Sequence, residues 1–276
     1  MMTEKFSVSI CVYGKDNSQW FRTAVDSILN QTAKPDEVVL VVDGPVPPEL
    51  DAVIGGYERL DRFKVIRLPE NRGLGNARRV GLAHCSNELV AMMDADDISV
   101  PERFEKQLAA FAQDGELSIV GGQIAEFVHD VDAPVGIRTV PLTDAEIRRD
   151  IKTRCPFNHM TVMVKKSDVD RAGGYQDWFW NEDYFLWLRM HLAGMRSANV
   201  PEVLVNVRVG EDMYMRRGGR KYFFSELGLQ NYMLRHRIIG VPTYLMNVAK
   251  RIVVQLLLPN RVRGWVYKKF ARKQDV

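Results

Sequence analysis

Leu89-Val90-Ala91-Met92-Met93 runs without a break into Asp94-Ala95-Asp96-Asp97. An apolar run of this kind reads as a buried strand of an α/β sheet. The acids then fall at the strand's carboxyl end, where open α/β sheets place their ligands. Three carboxylates within four residues repel one another, and half-burial beside Met92, Met93 and Ala95 makes that repulsion costly without a cation. A divalent metal, its coordination completed by a phosphate-bearing ligand, relieves it. The alternative is an acidic turn that caps the next helix.

Other Asp-rich motifs fit less well. A calcium EF-hand would share Asp94, Asp96 and Glu105, but Ser99 replaces its turn glycine, Ile98 replaces a ligand and Pro101 interrupts the loop. A haloacid-dehalogenase phosphatase also places Asp-x-Asp after a strand, normally its first, whereas at least three strand-like runs come earlier here. The Asp-x-Asp of nucleotide-sugar transferases remains.

With 276 residues, 46% of them hydrophobic and 26% charged, the chain is ordinary globular material for one large domain or two small ones. A net charge of +3 is too small to imply a nucleic-acid partner, and the basic residues gather in the last quarter. Cys11, Cys85 and Cys155 are scattered without metal spacing, which predicts buried, reduced thiols in a cytoplasmic protein. Residues 1–20 lack the pattern of a signal peptide, and no stretch of 18 uncharged apolar residues exists to span a membrane.

The spacing predicts a strand over 8–12, a helix over 20–30, strands over 38–42 and 63–68, a helix over 74–84 and the strand at 89–93. Ser99-Val100-Pro101-Glu102 reads as a capping box, and Thr143-Asp144-Ala145-Glu146 as another. Strand and helix alternate, which argues for a parallel sheet with helices on both faces. Further along, 160–164 reads as a strand, Ser167 as the cap of a short helix, 182 onward as a helix and 203–209 as a last strand.

Several groups along this frame carry chemistry. Asp43 ends the second strand on the same sheet edge as Asp94 and suits a nucleobase or ribose; an Asp-Gly turn would look the same. Asn71 to Arg79 combines Gly73 and Gly75 with a helix start and the Arg78 and Arg79 guanidiniums, a setting for anions or for solvent-facing arginines. Asn158-His159 is either a site lining or a satisfied core pair. Glu182-Asp183 follows Trp178-Phe179-Trp180 at a helix start. There a carboxylate is a general base beside a sugar platform, or an acid whose pKa the helix dipole depresses.

These motifs, in this order, resemble the family 2 glycosyltransferases of GT-A fold over roughly residues 6–215. Phe157-Asn158-His159-Met160-Thr161-Val162-Met163, Gly173-Gly174-Tyr175, Asn181-Glu182-Asp183-Tyr184 and Leu258-Pro259-Asn260 are similar to the amylovoran, O-antigen and exopolysaccharide enzymes of that family. The resemblance implies an α/β, Rossmann-like GT-A fold with a mostly parallel central sheet, helices on both faces and a C-terminal helical tail. It implies a catalytic domain over 1–215, with a nucleotide-binding half to about residue 115 and an acceptor half beyond it. A basic tail, 216–276, follows.

The resemblance further implies an inverting hexosyl transfer from a UDP-sugar to a lipid-linked saccharide. Val12, Asp43, Arg78 and Asp94 fall on nucleotide-sugar positions, Asp96 on the metal position for Mn²⁺ or Mg²⁺, and Asp183 on the catalytic base. Asn158, His159, Trp180, Glu182 and Asp97 are expected around the acceptor. Where many relatives carry a histidine, this chain has Val207-Arg208-Val209-Gly210 and then Arg216-Arg217, so Arg216 or Arg217 is expected to neutralise the diphosphate. Non-catalytic nucleotide-sugar binding is the alternative function. Residues from about 241, rich in Lys, Arg and aromatic rings, predict a basic amphipathic helix at an anionic membrane surface on the cytoplasmic side, or else a helix packed on the domain or a dimer partner.

Overall fold

Period-two alternation builds a sheet buried on both faces. In the computed structural model, which describes residues 4–210 and 218–258, Phe6, Val8, Ile10 and Val12 of β1 (Phe6–Tyr13) enter one apolar cluster while Ser7 and Ser9 lie on the opposite face. β2 (Glu37–Asp43) sends Val38, Leu40 and Val42 to the same side and Val39 to the other. β4 (Leu89–Met93) divides alike, with Leu89, Ala91 and Met93 opposed to Val90 and Met92. With β3 (Phe63–Leu68) these strands form a parallel block ordered β3-β2-β1-β4.

Helices cover both faces, as expected. On one side α1 (Ser18–Leu29) buries Phe21, Ala24, Val25 and Ile28 at helical spacing, its start capped by Asn17, whose side chain accepts from the Gln19 and Trp20 amides. α2 (Pro48–Tyr57) and α4 (Arg103–Gln113) pack on the same cluster through Leu50, Ile54, Phe104 and Phe111. On the other side lies α3 (Leu74–His84), with the bounds its periodicity predicts. α5 (Asp144–Asp150), α6 (Lys166–Arg171) and α7 (Glu182–Leu192) share that face.

The second half of the sheet is mixed. Beyond β4 the order continues β8 (Met163–Lys165), β6 (Leu117–Phe127), β9 (Arg196–Arg208) and β5 (Ile98–Ser99), with β7 (Gly136–Arg138) paired to β6. β6 runs parallel to β9 and antiparallel to β8. β6 is buried along its whole length yet was not expected, because Gly121-Gly122 interrupts its apolar pattern. A Cβ on Gly121 would lie 2.3 Å from Asn199 Oδ1, and one on Gly122 2.5 Å from Leu204 Cδ1, so both glycines admit side chains of β9.

Two capping expectations fare differently. Thr143 and Glu146 form the predicted reciprocal box at α5. Ser99 instead belongs to β5, and α4 begins at Arg103 with no side-chain cap. Ser167 does not cap α6 either; its hydroxyl donates to Glu88 Oε1. The predicted strand at 160–164 opens as a 3-10 turn (His159–Thr161) before β8, and the last strand starts seven residues earlier than expected, at Arg196 rather than Val203.

After residue 218 the chain forms α8 (Arg220–Arg235) and α9 (Val241–Arg251), then a π-helical turn (Ile252–Leu257). α8 joins the α3/α7 face through Leu229 and Met233, so this part of the tail packs on the domain. Arg216, Arg217 and the basic residues from Arg261 onward lie outside the described residues.

Candidate active site

Arg78 is the centre of the site. It is 7% exposed, one turn into α3. Its Nη2 donates to Asp94 Oδ1 at 3.1 Å and its Nη1 to Glu182 Oε1 at 2.5 Å. One guanidinium therefore joins the strand-end acids to the first turn of α7. Burial works against the Arg78 charge, but the carboxylates of Asp94 and Glu182 outweigh it and hold its pKa above the ordinary value. Gly75 packs beside this pair: a Cβ there would lie 3.4 Å from Glu182 Cβ and Cγ, an ordinary van der Waals distance. The segment's glycines therefore neighbour α7 without a close approach that only glycine allows.

Asp43 sits beside this group at the end of β2, in register with Tyr13 just past Val12 of β1. It is 4% exposed, and its two oxygens accept the Arg72 amide at 2.8 Å and the Gly73 amide at 2.9 Å. These bonds tie the exit of β2 to the start of α3. A carboxylate offers about four lone-pair directions, so these two bonds do not exhaust the acceptor capacity of Asp43.

The acidic turn after β4 divides its labour. Asp94 is half-buried against Arg78, and Asp96 is exposed. Asp97 is 2% exposed and accepts the Arg208 amide at 3.0 Å, which staples the turn to the end of β9. Burial, then the charges of Asp96 and Asp94, push the Asp97 carboxyl well above the usual range. Among the described residues no three acidic, His or Cys side chains gather as a ready-made metal cage. That donor set fits an ion held by one or two carboxylates with a diphosphate supplying further oxygens, which is how Mg²⁺ is commonly bound.

Glu182 and Asp183 open α7 as predicted, but the helix dipole does not depress their pKa values. Burial pushes Glu182 up from 4.5 to about 7, and Arg78 only partly offsets it. Asp183 is raised as well, by burial, against Arg78 and the Tyr184 amide. Asp183 is the half-buried one of the pair; its Oδ1 accepts that amide at 2.6 Å.

The three aromatic rings before α7 separate. Trp178 turns inward, its ring centroid 4.3 Å from that of Phe185 and its Nε1 donating to the Ser225 carbonyl at 3.2 Å. Phe179 and Trp180 stay exposed with rings perpendicular at 6.0 Å, so an acceptor platform is reduced to these two. Trp180 has φ 59°, a left-handed conformation that costs an ordinary side chain of order 1–3 kcal/mol and recurs at ligand sites.

Asn158 and His159 do not line the cleft. Asn158 is 1% exposed and donates to the Gly122 carbonyl at 2.9 Å. His159 lies 2.9 Å from the Tyr175 hydroxyl through Nε2, and burial, then Arg78 and Arg103, hold its pKa well below the ordinary value. Their expected place at the acceptor gives way to a packing role, because β6 and α7 close over them.

Two residues of the site went unnoticed in the sequence. Arg103 is fully buried beneath the acidic turn, donating to the Met92 carbonyl at 2.6 Å, to Ser99 Oγ at 3.0 Å and to Gln107 Oε1 at 3.1 Å. Burial pushes its pKa down to about 9, with Asp94 and Asp97 partly offsetting. Asp16, in the β1–α1 loop, is pushed up to about 7 by burial and then by Asp96 and Asp94, against the Tyr13 amide it accepts. Neither carries a local signal, since an Arg at a helix start and an Asp in a turn are commonplace.

Comparisons with known proteins identify the family and the fold. Over 271 residues the chain is 37% identical to the UDP-Gal:alpha-D-GlcNAc-diphosphoundecaprenol beta-1,3-galactosyltransferase of Escherichia coli, covering 98% of each chain. It is 37% identical to the amylovoran biosynthesis glycosyltransferase AmsE of Erwinia amylovora, over 96% of this chain and 98% of that one. The fold matches Staphylococcus aureus TarS 1-349 in complex with UDP-GlcNAc, with a TM-score of 0.68 at 17% identity, over 96% of this chain and 79% of that one. The sequence profile of Glycosyl transferase family 2 matches residues 7–171, more than half of the chain, and the protein belongs to that family.

Proposed function

We propose that the protein is an inverting hexosyltransferase that moves a sugar from UDP to a hydroxyl of an undecaprenyl-diphosphate-linked saccharide in bacterial surface-polysaccharide synthesis. The observation that carries this reading is the Arg78 bridge. It sets Asp94, at the strand end where a nucleotide would bind, against the α7 start that holds Asp183. The relatives' named reactions, one using UDP-Gal and a diphosphoundecaprenol acceptor, support the substrate class.

In this reading Val12, Asp43 and Arg78 surround the nucleobase and Asp94 approaches the ribose. Asp183 takes the proton from the acceptor hydroxyl as that oxygen attacks C1 from the face opposite the diphosphate. Its Oδ1 is anchored by the Tyr184 amide, which leaves Oδ2 to receive the proton. A raised pKa makes a carboxylate a stronger base toward a hydroxyl, which favours transfer near neutral pH. Phe179 and Trp180 offer apolar ring faces to the acceptor sugar. Asp96, exposed on the acidic turn, would hold Mn²⁺ or Mg²⁺, and a bound ion supplies positive charge to the departing diphosphate. Arg216 and Arg217 are proposed to add to that charge. Work on a lipid-linked acceptor implies a peripheral position at the inner face of the cytoplasmic membrane.

The test is UDP release from UDP-galactose with a GlcNAc-diphosphoundecaprenol analogue, in Mn²⁺ and in excess chelator. Acceptor-dependent release that the chelator abolishes is expected. UDP binding with no acceptor-dependent release from any UDP-hexose would favour the non-catalytic alternative, and full activity in chelator would remove the metal.

A further inference from the structure

α9 and the π-helical turn after it are inverted relative to an ordinary surface helix. Two of their polar side chains face the domain: Asn247 is 1% exposed and Gln255 5%. With Arg251 they form a stripe at four-residue intervals, one side of a helix. Asn247 donates to the Lys152 carbonyl at 2.8 Å and to Gln230 Oε1 at 2.9 Å, and Arg251 donates to Glu226 Oε2 at 2.5 Å. Five apolar side chains face outward instead, with Leu245 60%, Val253 48% and Leu257 68% exposed, accompanied by Met246 and Leu256. The hydrophobic effect would place these the other way round if water were the only solvent the helix met.

α8 carries an exposed apolar ring of its own. The Gly219 amide donates to the Gln255 carbonyl at 3.2 Å, which brings the start of α8 against the π-helical turn. Phe224, on the first turns of α8, is 63% exposed. The next residue, Ser225, donates Oγ to the Phe179 carbonyl at 2.5 Å and accepts Trp178 Nε1–H. One helix thus carries an outward apolar ring and fixes the Phe179–Trp180 rim beside Asp183.

Large exposed apolar side chains gathered on neighbouring helices mark a candidate interaction site. Two observations select a lipid bilayer as the occupant. The sequence that continues from Leu258 carries Arg261, Arg263, Lys268, Lys269, Arg272 and Lys273 against one acid, Asp275. Stable attachment takes two signals, an inserted apolar group and a polybasic patch, and here they adjoin in sequence. The same cations would repel one another across a contact between two copies, whereas an anionic headgroup layer attracts each of them. No described helix is long and apolar enough to cross a membrane.

We propose that the face formed by Phe224, Leu245, Met246, Val253, Leu256 and Leu257 docks into the interface of an anionic bilayer. The inward polar stripe keeps α9 folded on the domain before it docks. The proposal deepens, and rests on, the lipid-linked-acceptor reading: the docked face would hold the Phe179–Trp180 rim near the headgroup layer. Arg251 is committed to Glu226 and takes no part in the docked face.

The full-length chain is floated with phosphatidylethanolamine/phosphatidylglycerol vesicles and with phosphatidylcholine vesicles, beside the variant Leu245→Gln/Val253→Gln/Leu257→Gln. All three side chains are exposed, so the variant should fold, and UDP binding and the unfolding midpoint verify this. Wild type should float with the anionic vesicles, and the variant's partitioning should fall at least about tenfold, since burying even one such side chain accounts for that factor. Turnover of UDP-galactose with a short-chain, water-soluble acceptor should remain within about twofold of wild type, as the substituted side chains lie outside the catalytic groups. Undiminished flotation of the variant, or no flotation of wild type, overturns docking. A wild-type dimer that the variant converts to monomer, with neither floating, would assign the face to self-association. Failure of the water-soluble turnover in wild type, with flotation intact, would strike the transferase reading alone.

Discussion

Replacing Glu182 by Gln measures how strongly the site resists negative charge. Glu182 is 6% exposed, bonds Arg78 and neighbours Asp183, and burial lifts its carboxyl from 4.5 to about 7. Between those two values the folded chain holds a proton that the unfolded chain has released. The folded state then binds more protons, so stability falls as pH rises through the window, and the loss is complete above about pH 7. At about 1.36 kcal/mol per pH unit the interval amounts to about 3 kcal/mol. Gln still accepts the Arg78 N–H but cannot ionise. Wild type and Glu182→Gln should therefore agree within about 1 kcal/mol at pH 5, and the variant should be the more stable by up to about 3 kcal/mol at pH 8. For a chain of this size that is about 6–12 °C in Tm. Urea and thermal unfolding of both proteins at the two pH values, without divalent ions, give the comparison. A stability difference that does not change with pH, or a variant less stable at pH 8, would mean that Arg78 holds Glu182 ionised throughout, and the reasoning would be wrong.

Asp96→Ala should abolish acceptor-dependent UDP release, while the unfolding midpoint without metal stays level or rises, because one of several repelling carboxylates is gone. Asp183→Asn should retain UDP binding by calorimetry and lose at least about 10²-fold in kcat, the usual scale for a general base; normal turnover there with an inactive Glu182→Gln would move the base by one residue. Gly44→Ala should cost about 2–4 kcal/mol in urea unfolding, combining a left-handed backbone with overpacking. Gly44 has φ +85°, and an added Cβ would lie 2.6 Å from the Asn71 amide nitrogen, so the loop that Asp43 anchors must shift and UDP binding should weaken with it.

Period-two and helical patterns are local, and what they encode could be read directly. The apolar runs of β1, β2 and β4, the bounds of α3 and the Thr143–Glu146 box depend on neighbours within a few residues. The acids at the end of β4 were legible for the same reason, since an apolar run delivers them to the sheet edge. β6 escaped because its two glycines make sense only against Asn199 and Leu204, far along the chain. Likewise, α3 alone does not reveal that Arg78 meets a carboxylate 104 positions away, nor does α4 reveal that Arg103 lies under the acidic turn. The clearest case is α9. Its sequence has two faces, and which one turns inward was decided by the polar partners Gln230 and Glu226 that α8 presents. Buried amide and guanidinium groups stay where they find hydrogen bonds, so a polar stripe meeting a polar stripe sends the leucines outward.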